Sequence, residues 1–198
     1  MPRRRNQRAS TRQVEIFCFI FDGAACHVGR GRLVLSAWSA MVGGRLGETA
    51  MKPRMNPYTV APRTMQALMA LQSYVNDCGL EHSLLELVKM RASQINGCAF
   101  CLNLHYTEAR RQGESELRLQ LLNAWRESPL YTARERAALA WTEALTLLAQ
   151  TRAPDADYAE LATHFDELER VNLTMAINTI NAWNRIAVGF RSLHPVNE

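Results

Sequence analysis

No stretch of the 198-residue chain approaches the roughly 18 uninterrupted apolar residues of a membrane-spanning helix, so no membrane partner is expected. Cysteine is scarce. Cys18, Cys26, Cys78, Cys98 and Cys101 form an odd set at irregular spacing, which excludes the regular framework of a small secreted, disulfide-stapled domain. A basic excess is missing where a nucleic-acid reader would need it. Residues 1–50 hold eight Arg against Glu15, Asp22 and Glu48, whereas the remainder has 15 basic and 16 acidic residues. Such a reader carries its basic patch on the folded part, so the pI of about 9.0 does not point to nucleic acid. Beyond residue 60 there is also no period-two alternation that would make a strand, and the fold class expected is all-α.

What is present divides at residue 50. The first 50 residues hold six of the ten glycines, open on the Arg-rich PRRRNQR and contain one short apolar run, VEIFCFIF. They are read as a leader or extension with no assigned function. Glu15 and Asp22 interrupt the pattern of a secretory signal, and a cytoplasmic location is expected. A mitochondrial-type presequence stays open, as does Met51 as the natural first residue. Residues 51–198 read as one helical domain, with the 47% apolar and 21% charged composition of an ordinary globular chain.

Within that domain Leu68, Met69, Leu71 and Val75 give a helical stripe that Gly79 ends. Ser83 and Glu86 have the spacing of a capping box opening a second helix, ended by Gly97. A third helix runs from near Cys98 to Gly113, and a fourth covers about 115–125. Thr132 and Glu135 form another capping box, opening a helix through Leu148. Pro154 and Asp155 start a short helix. Asp166 precedes the last one, whose apolar residues include Val171, Leu173, Met175, Ile177, Ile180 and Trp183. Trp141, Trp183 and Met175 are expected in the core, as is Cys78. LVKMRASQIN and VNLTMAINTIN share a pattern, each an apolar helix ending in Ile-Asn, as a weak internal repeat.

The chemistry is concentrated in ELVKMRASQINGCAFCLNLHYTEARRQG, residues 86–113. Cys98 and Cys101, three apart at a helix start, lie on one face within easy reach of a reversible disulfide. Unpaired N–H groups at that helix end favour thiolate over thiol. Lowering a thiol pKa from about 8.5 to about 6.5 raises the thiolate fraction at pH 7 roughly 25-fold. His105 follows one turn after Cys101 on the same face and can take the thiol proton. Glu86, on the preceding helix, can fold back to orient the imidazole or relay a proton, although its place in a capping box would by itself explain a Glu there.

Glu86, eleven residues, then Cys98-x-x-Cys101-x-x-x-His105, in the setting RASQINGCAFCLNLH and with INAWNR later, resembles the active-site signature of AhpD-like alkylhydroperoxidases of the carboxymuconolactone decarboxylase superfamily. The resemblance spans about residues 55–195. It implies an all-helical bundle with the CxxC motif at a helix N-terminus, assembled as a homo-oligomer (trimer or hexamer). It implies reduction of organic hydroperoxides with no metal or flavin cofactor, Cys101 meeting peroxide and Cys98 resolving, with Glu86 in the proton relay. Recycling by an external dithiol, a lipoyl-protein or thioredoxin-like donor, is implied as well. Phe100 departs from the pattern, because the best-studied members carry a second His there; this leaves the peroxide and the reductant open. Lactone decarboxylation is not expected, since that branch lacks the cysteine pair. Two rival readings use the same residues. One is a non-enzymatic redox switch; the other is a metal site with Cys98, Cys101 and His105 as ligands and a fourth from Glu86 or a neighbour, an awkward geometry on one helix face.

Overall fold

In a computed structural model the structure describes residues 51–195, and the expectations for residues 1–50, Cys18 and Cys26 included, lie outside it. The described residues are helical without any strand. In chain order the helices are α1 (Pro57–Val60), α2 (Pro62–Asn76), α3 (His82–Ile95), α4 (Ala99–Arg111), α5 (Glu116–Leu121), α6 (Ala133–Thr146), α7 (Leu148–Thr151), α8 (Asp155–His164) and α9 (Glu167–Phe190), with a 3-10 turn over Leu122–Ala124.

The helix starts follow local chemistry. Pro62 occupies the first turn of α2, where its missing N–H costs nothing. Thr132 and Glu135 close a full capping box on α6, and Asp166 and Glu169 do the same on α9. Each satisfies two of the orphan N–H groups of a helix start. Gly79, Gly97 and Gly113 take positive φ in the turns after α2, α3 and α4.

α3 is the centre of the bundle. Leu84 through Met90 are buried without a break, and α4, α6 and α9 pack around the helix. It contributes to all three parts of the core. Leu84, Leu85 and Val88 join Trp141, Leu161, Phe165 and Leu173, while Leu87 and Met90 join Leu119, Leu122, Trp125 and Leu139. Ala92 joins Met65, Ile180, Trp183 and both cysteines. Each Leu fully buried here stabilises the fold by about 1.5–3 kcal/mol. A helix enclosed in this way can hold a charged group only with a partner, and α3 holds two, Glu86 and Lys89.

Several local expectations are corrected. Ser83 and Glu86 form no capping box: the helix begins at His82 with Glu81 at the cap, and no side chain caps it. Ser83 is therefore at the second helical position, and Glu86 is carried two positions further along the helix and into the core. The helix expected over 115–125 breaks at Leu121 into the 3-10 turn. α6 stops at Thr146 rather than Leu148, and the chain turns through α7 to Arg152 and Ala153 at φ 57° and 50°. α1 was not anticipated. Val171, expected among the apolar residues of the last helix, is exposed, whereas Leu173, Ile177 and Ile180 are buried. Trp141 and Trp183 are buried; Met175 and the free thiol Cys78 are half-buried against the first part of the core.

Candidate active site

The turn between α3 and α4 presents the cysteines. Gly97, at φ 63°, reverses the chain, and its N–H donates to the Gln94 carbonyl at 3.3 Å. The Cys98 N–H donates to the Ser93 carbonyl at 3.0 Å. These two bonds are those of a Schellman motif, which satisfies the last carbonyls of α3. Cys98 then caps the next helix. It is extended, and its Sγ accepts the Cys101 N–H at 3.3 Å. One residue therefore ends α3 with its backbone and begins α4 with its side chain.

A buried polar network fixes that turn to α9. The Asn96 amide donates to Asn181 Oδ1 and Asn184 Oδ1, both at 2.9 Å, and to the Ala92 carbonyl at 3.0 Å. The Asn184 amide donates to Ser93 Oγ at 3.0 Å, and Ser93 Oγ–H donates to the Lys89 carbonyl at 2.7 Å. Asn181 also donates to Thr146 Oγ1 at 3.0 Å. The two Ile-Asn pairs seen in the sequence thus meet directly, but only the first ends a helix: Asn181 lies inside α9, which runs on to Phe190. A network with every member paired specifies one geometry; half-paired, it would be costly.

Cys98 and Cys101 are joined as a disulfide, with Cα atoms 5.4 Å apart, inside the usual range for such a bond. They are 1% and 3% exposed. Their surroundings are Met65, Ala92, Ile180, Trp183 and Ala187, with Tyr58 and Phe100 half-buried against them. Burial pushes the Tyr58 phenol up to about 12, so it stays protonated near neutral pH. Phe100, where a second His would sit in the family pattern, contributes an apolar wall.

Glu86 and His105 come together across the α3–α4 packing, Glu86 Oε2 lying 2.8 Å from His105 Nδ1. The other carboxylate oxygen, Oε1, accepts from Lys89 Nζ at 2.9 Å. Glu86 is 5% exposed and Lys89 6%. Burial pushes the Glu86 carboxyl up, but the charges and hydrogen bonds of His105 and Lys89 outweigh it and bring it down to about 2. Glu86 is therefore a carboxylate at neutral pH. Lys89 is the member that sequence reasoning missed. The signal was there: a Lys three residues after Glu86, in the apolar run LLELVKM, is an i,i+3 pair with no polar face to sit on.

Among the described residues no three His, Cys, Asp or Glu side chains converge as a set of metal ligands. None of their helices is long and apolar enough to cross a membrane.

Comparison with known proteins bears on the whole arrangement. The profile of the carboxymuconolactone decarboxylase family matches residues 62–144, which include all four cysteine, His and Glu positions above. The uncharacterized protein YdfG of Bacillus subtilis is 41% identical over 138 residues, covering 70% of this chain and 94% of YdfG. A crystal structure from Agrobacterium tumefaciens, of a protein of unknown function described as a candidate antioxidant defence protein AhpD, is 51% identical. It superimposes with a TM-score of 0.73 over 74% of this chain and 100% of that one. The debrominase Bmp8 shares the fold at 20% identity and a TM-score of 0.61, covering 70% of this chain and 74% of its own.

Proposed function

The chain belongs to the carboxymuconolactone decarboxylase family, in its AhpD-like branch, and on that premise we propose that it is a thiol peroxidase and disulfide oxidoreductase that reduces organic hydroperoxides through Cys98 and Cys101. The observation that carries this reading is a helix start bearing a paired CxxC, with a His one turn on that is held at 2.8 Å by a buried carboxylate.

The cycle begins with both cysteines reduced. His105, oriented by Glu86, takes the proton of the Cys101 thiol. The Cys101 thiolate attacks the outer peroxide oxygen, and the O–O bond breaks. Sulfur is oxidised to a sulfenic acid and the peroxide is reduced, leaving as an alcohol once the held proton is returned to it. Cys98 then attacks the Cys101 sulfur and water leaves, giving the disulfide. An external dithiol, of lipoyl-protein or thioredoxin-like type, resets the pair by two thiol–disulfide exchanges and is itself oxidised to a disulfide. The apolar side chains of Met65, Phe100 and Trp183 packed about the cysteines suit an organic rather than an inorganic peroxide.

A homo-oligomer, trimer or hexamer, forms part of the proposal. The family resemblance supports it, and light scattering of the full chain measures it. Residues 1–50 are proposed to be a leader or extension with no assigned function, ahead of the helical domain of residues 51–198.

The deciding experiment mixes fully reduced protein with one equivalent of cumene hydroperoxide and follows thiol loss by intact and peptide mass. Fast loss of the mass of two hydrogen atoms, located to the Cys98–Cys101 peptide, is expected. The Cys101→Ser variant should not react, and Cys98→Ser should stop at a sulfenic acid. Equal reactivity of wild type and Cys101→Ser would end the scheme. A change of shape or oligomer on oxidation with negligible turnover would favour the switch instead.

A further inference from the structure

We propose that Lys89 is a positioning residue of this site: by balancing the charge of Glu86 it keeps His105 a neutral imidazole, with its proton on Nδ1 and Nε2 free to accept from Cys101. The inference rests on His105 being the base, as proposed above.

The argument is one of charge counting in a closed space. Glu86 and Lys89 are both nearly fully buried and lie one turn apart on α3. The two Glu86 oxygens are divided between them, one to Lys89 Nζ at 2.9 Å and one to His105 Nδ1 at 2.8 Å. A buried carboxylate needs a compensating charge. With Lys89 present, the ammonium provides it, and His105 need contribute only a neutral N–H. A neutral imidazole that donates from Nδ1 has its lone pair on Nε2, which is the form that can accept a thiol proton. Without Lys89, the nearest positive charge available to Glu86 is an imidazolium at position 105. The Glu86–His105 pair would then hold its proton to higher pH, and an imidazolium accepts nothing.

No other charged group in the described structure competes for this place. Glu86 feels His105 from α4 and Lys89 from α3 itself. From α6, Glu143 engages Arg91 on α3 and is shared with Trp125 and Arg126. From α9, the groups bonded to the end of α3 are the neutral Asn181 and Asn184, with Arg185 bonded back to Asn181. Lys89 also reports on the turn that bears the cysteines, because its carbonyl accepts from Ser93 Oγ. For that reason a loss of stability alone would not separate a positioning role from a structural one.

The test uses the reduced full chain as wild type, Lys89→Met, Lys89→Gln and Lys89→Arg, with histidine-selective nitrogen labelling. His105 signals are assigned by their loss in His105→Gln. Long-range proton–nitrogen spectra give the tautomer and its titration, and the rate of thiol oxidation by cumene hydroperoxide is measured from pH 5 to 9. In wild type at pH 7 His105 is expected neutral with the proton on Nδ1. Lys89→Met should raise the midpoint of that signal by about one pH unit or more, and the acid limb of the rate should move with it. Lys89→Arg should restore both; Lys89→Gln serves if the Met variant does not fold. An unchanged midpoint in the Met and Gln variants overturns the proposal, as does failure of Arg to restore it. If reduced wild type does not react with hydroperoxide, the peroxidase reading fails while the imidazole titration still decides the role of Lys89.

Discussion

The first turns of α3 and α6 carry the same four-residue signature and do opposite things with it. Thr132-x-x-Glu135 closes on itself: the Thr132 oxygen accepts the Glu135 N–H at 3.2 Å, and the Glu135 carboxylate accepts the Thr132 N–H at 2.8 Å. Ser83-x-x-Glu86 makes neither bond, and its Glu reaches His105 and Lys89 instead. The difference is one of register. Arg134 grips Glu81 with two bonds, at 3.0 and 3.1 Å, and Glu81, extended, takes the cap position of α3. The helix therefore starts before Ser83, and a Glu that would have faced water faces the core. A capping pattern in sequence fixes a residue's spacing from its neighbour but not which of the two begins the helix. That is decided by what the bundle buries: α4, α6 and α9 enclose Leu84 through Met90, Glu86 among them, and the Arg134–Glu81 pair sits on the surface beside that start.

The comparison can be broken most forcefully at Glu86. Glu86→Ala leaves Lys89 buried with no partner, a change that costs about 3–5 kcal/mol in other proteins. The same change should slow oxidation of Cys101 by roughly 10²–10⁴-fold if Glu86 orients the base. Urea unfolding and stopped-flow thiol oxidation read the two effects separately. Glu135→Ala, at the matching position of α6, should leave the oxidation rate of the reduced protein unchanged.

Next in size is the network that fixes the cysteine turn. Asn184→Leu removes the acceptor that the Asn96 amide shares and the donor to Ser93 Oγ, at about 1–3 kcal/mol. Urea midpoints measure this, and no loss at all would mean that the α9 contacts are not what holds the turn. Thr132→Ala should cost about 1 kcal/mol as a lost cap. Ser83→Ala should stay within about 0.5 kcal/mol, because Ser83 is exposed and caps nothing. Equal losses at Thr132 and Ser83 would contradict the register described above. Acid sharpens the same contrast. The Glu86 carboxyl ionises near 2 in the folded protein against an ordinary value of 4.5. Its contribution to stability is therefore full above about 4.5 and is lost as pH falls toward 2. In Glu86→Gln that part of the acid unfolding curve should flatten.

The sequence was most legible where a residue acts on its immediate neighbours. The caps at Thr132 and Asp166, the turns at Gly79, Gly97 and Gly113, and the helix beginning at the cysteine pair all rest on contacts within a few positions. The CxxC and the His one turn later could be seen as a unit for the same reason. What the sequence hid depends on distant partners. The inward turn of Glu86 and the burial of Lys89 follow from how α4, α6 and α9 close around α3. The tie from Asn96 to Asn181 and Asn184 joins residues more than 80 positions apart, and only the shared Ile-Asn pairs hinted at it. The break of the fourth helix at Leu121 and the exposure of Val171 belong with these, since local periodicity is indifferent to which face a neighbour covers.

The sulfur that caps α4 has a consequence for observation. Cys98 Sγ accepts the Cys101 N–H, and a free cysteine sulfur and a disulfide sulfur differ as acceptors, so the Cys101 amide is a built-in gauge of oxidation state. Its hydrogen–deuterium exchange should differ between the reduced pair and the closed one. Each turnover would thus be written into the protection of a single backbone proton, legible by mass or magnetic resonance without a dye, a label or a change of sequence.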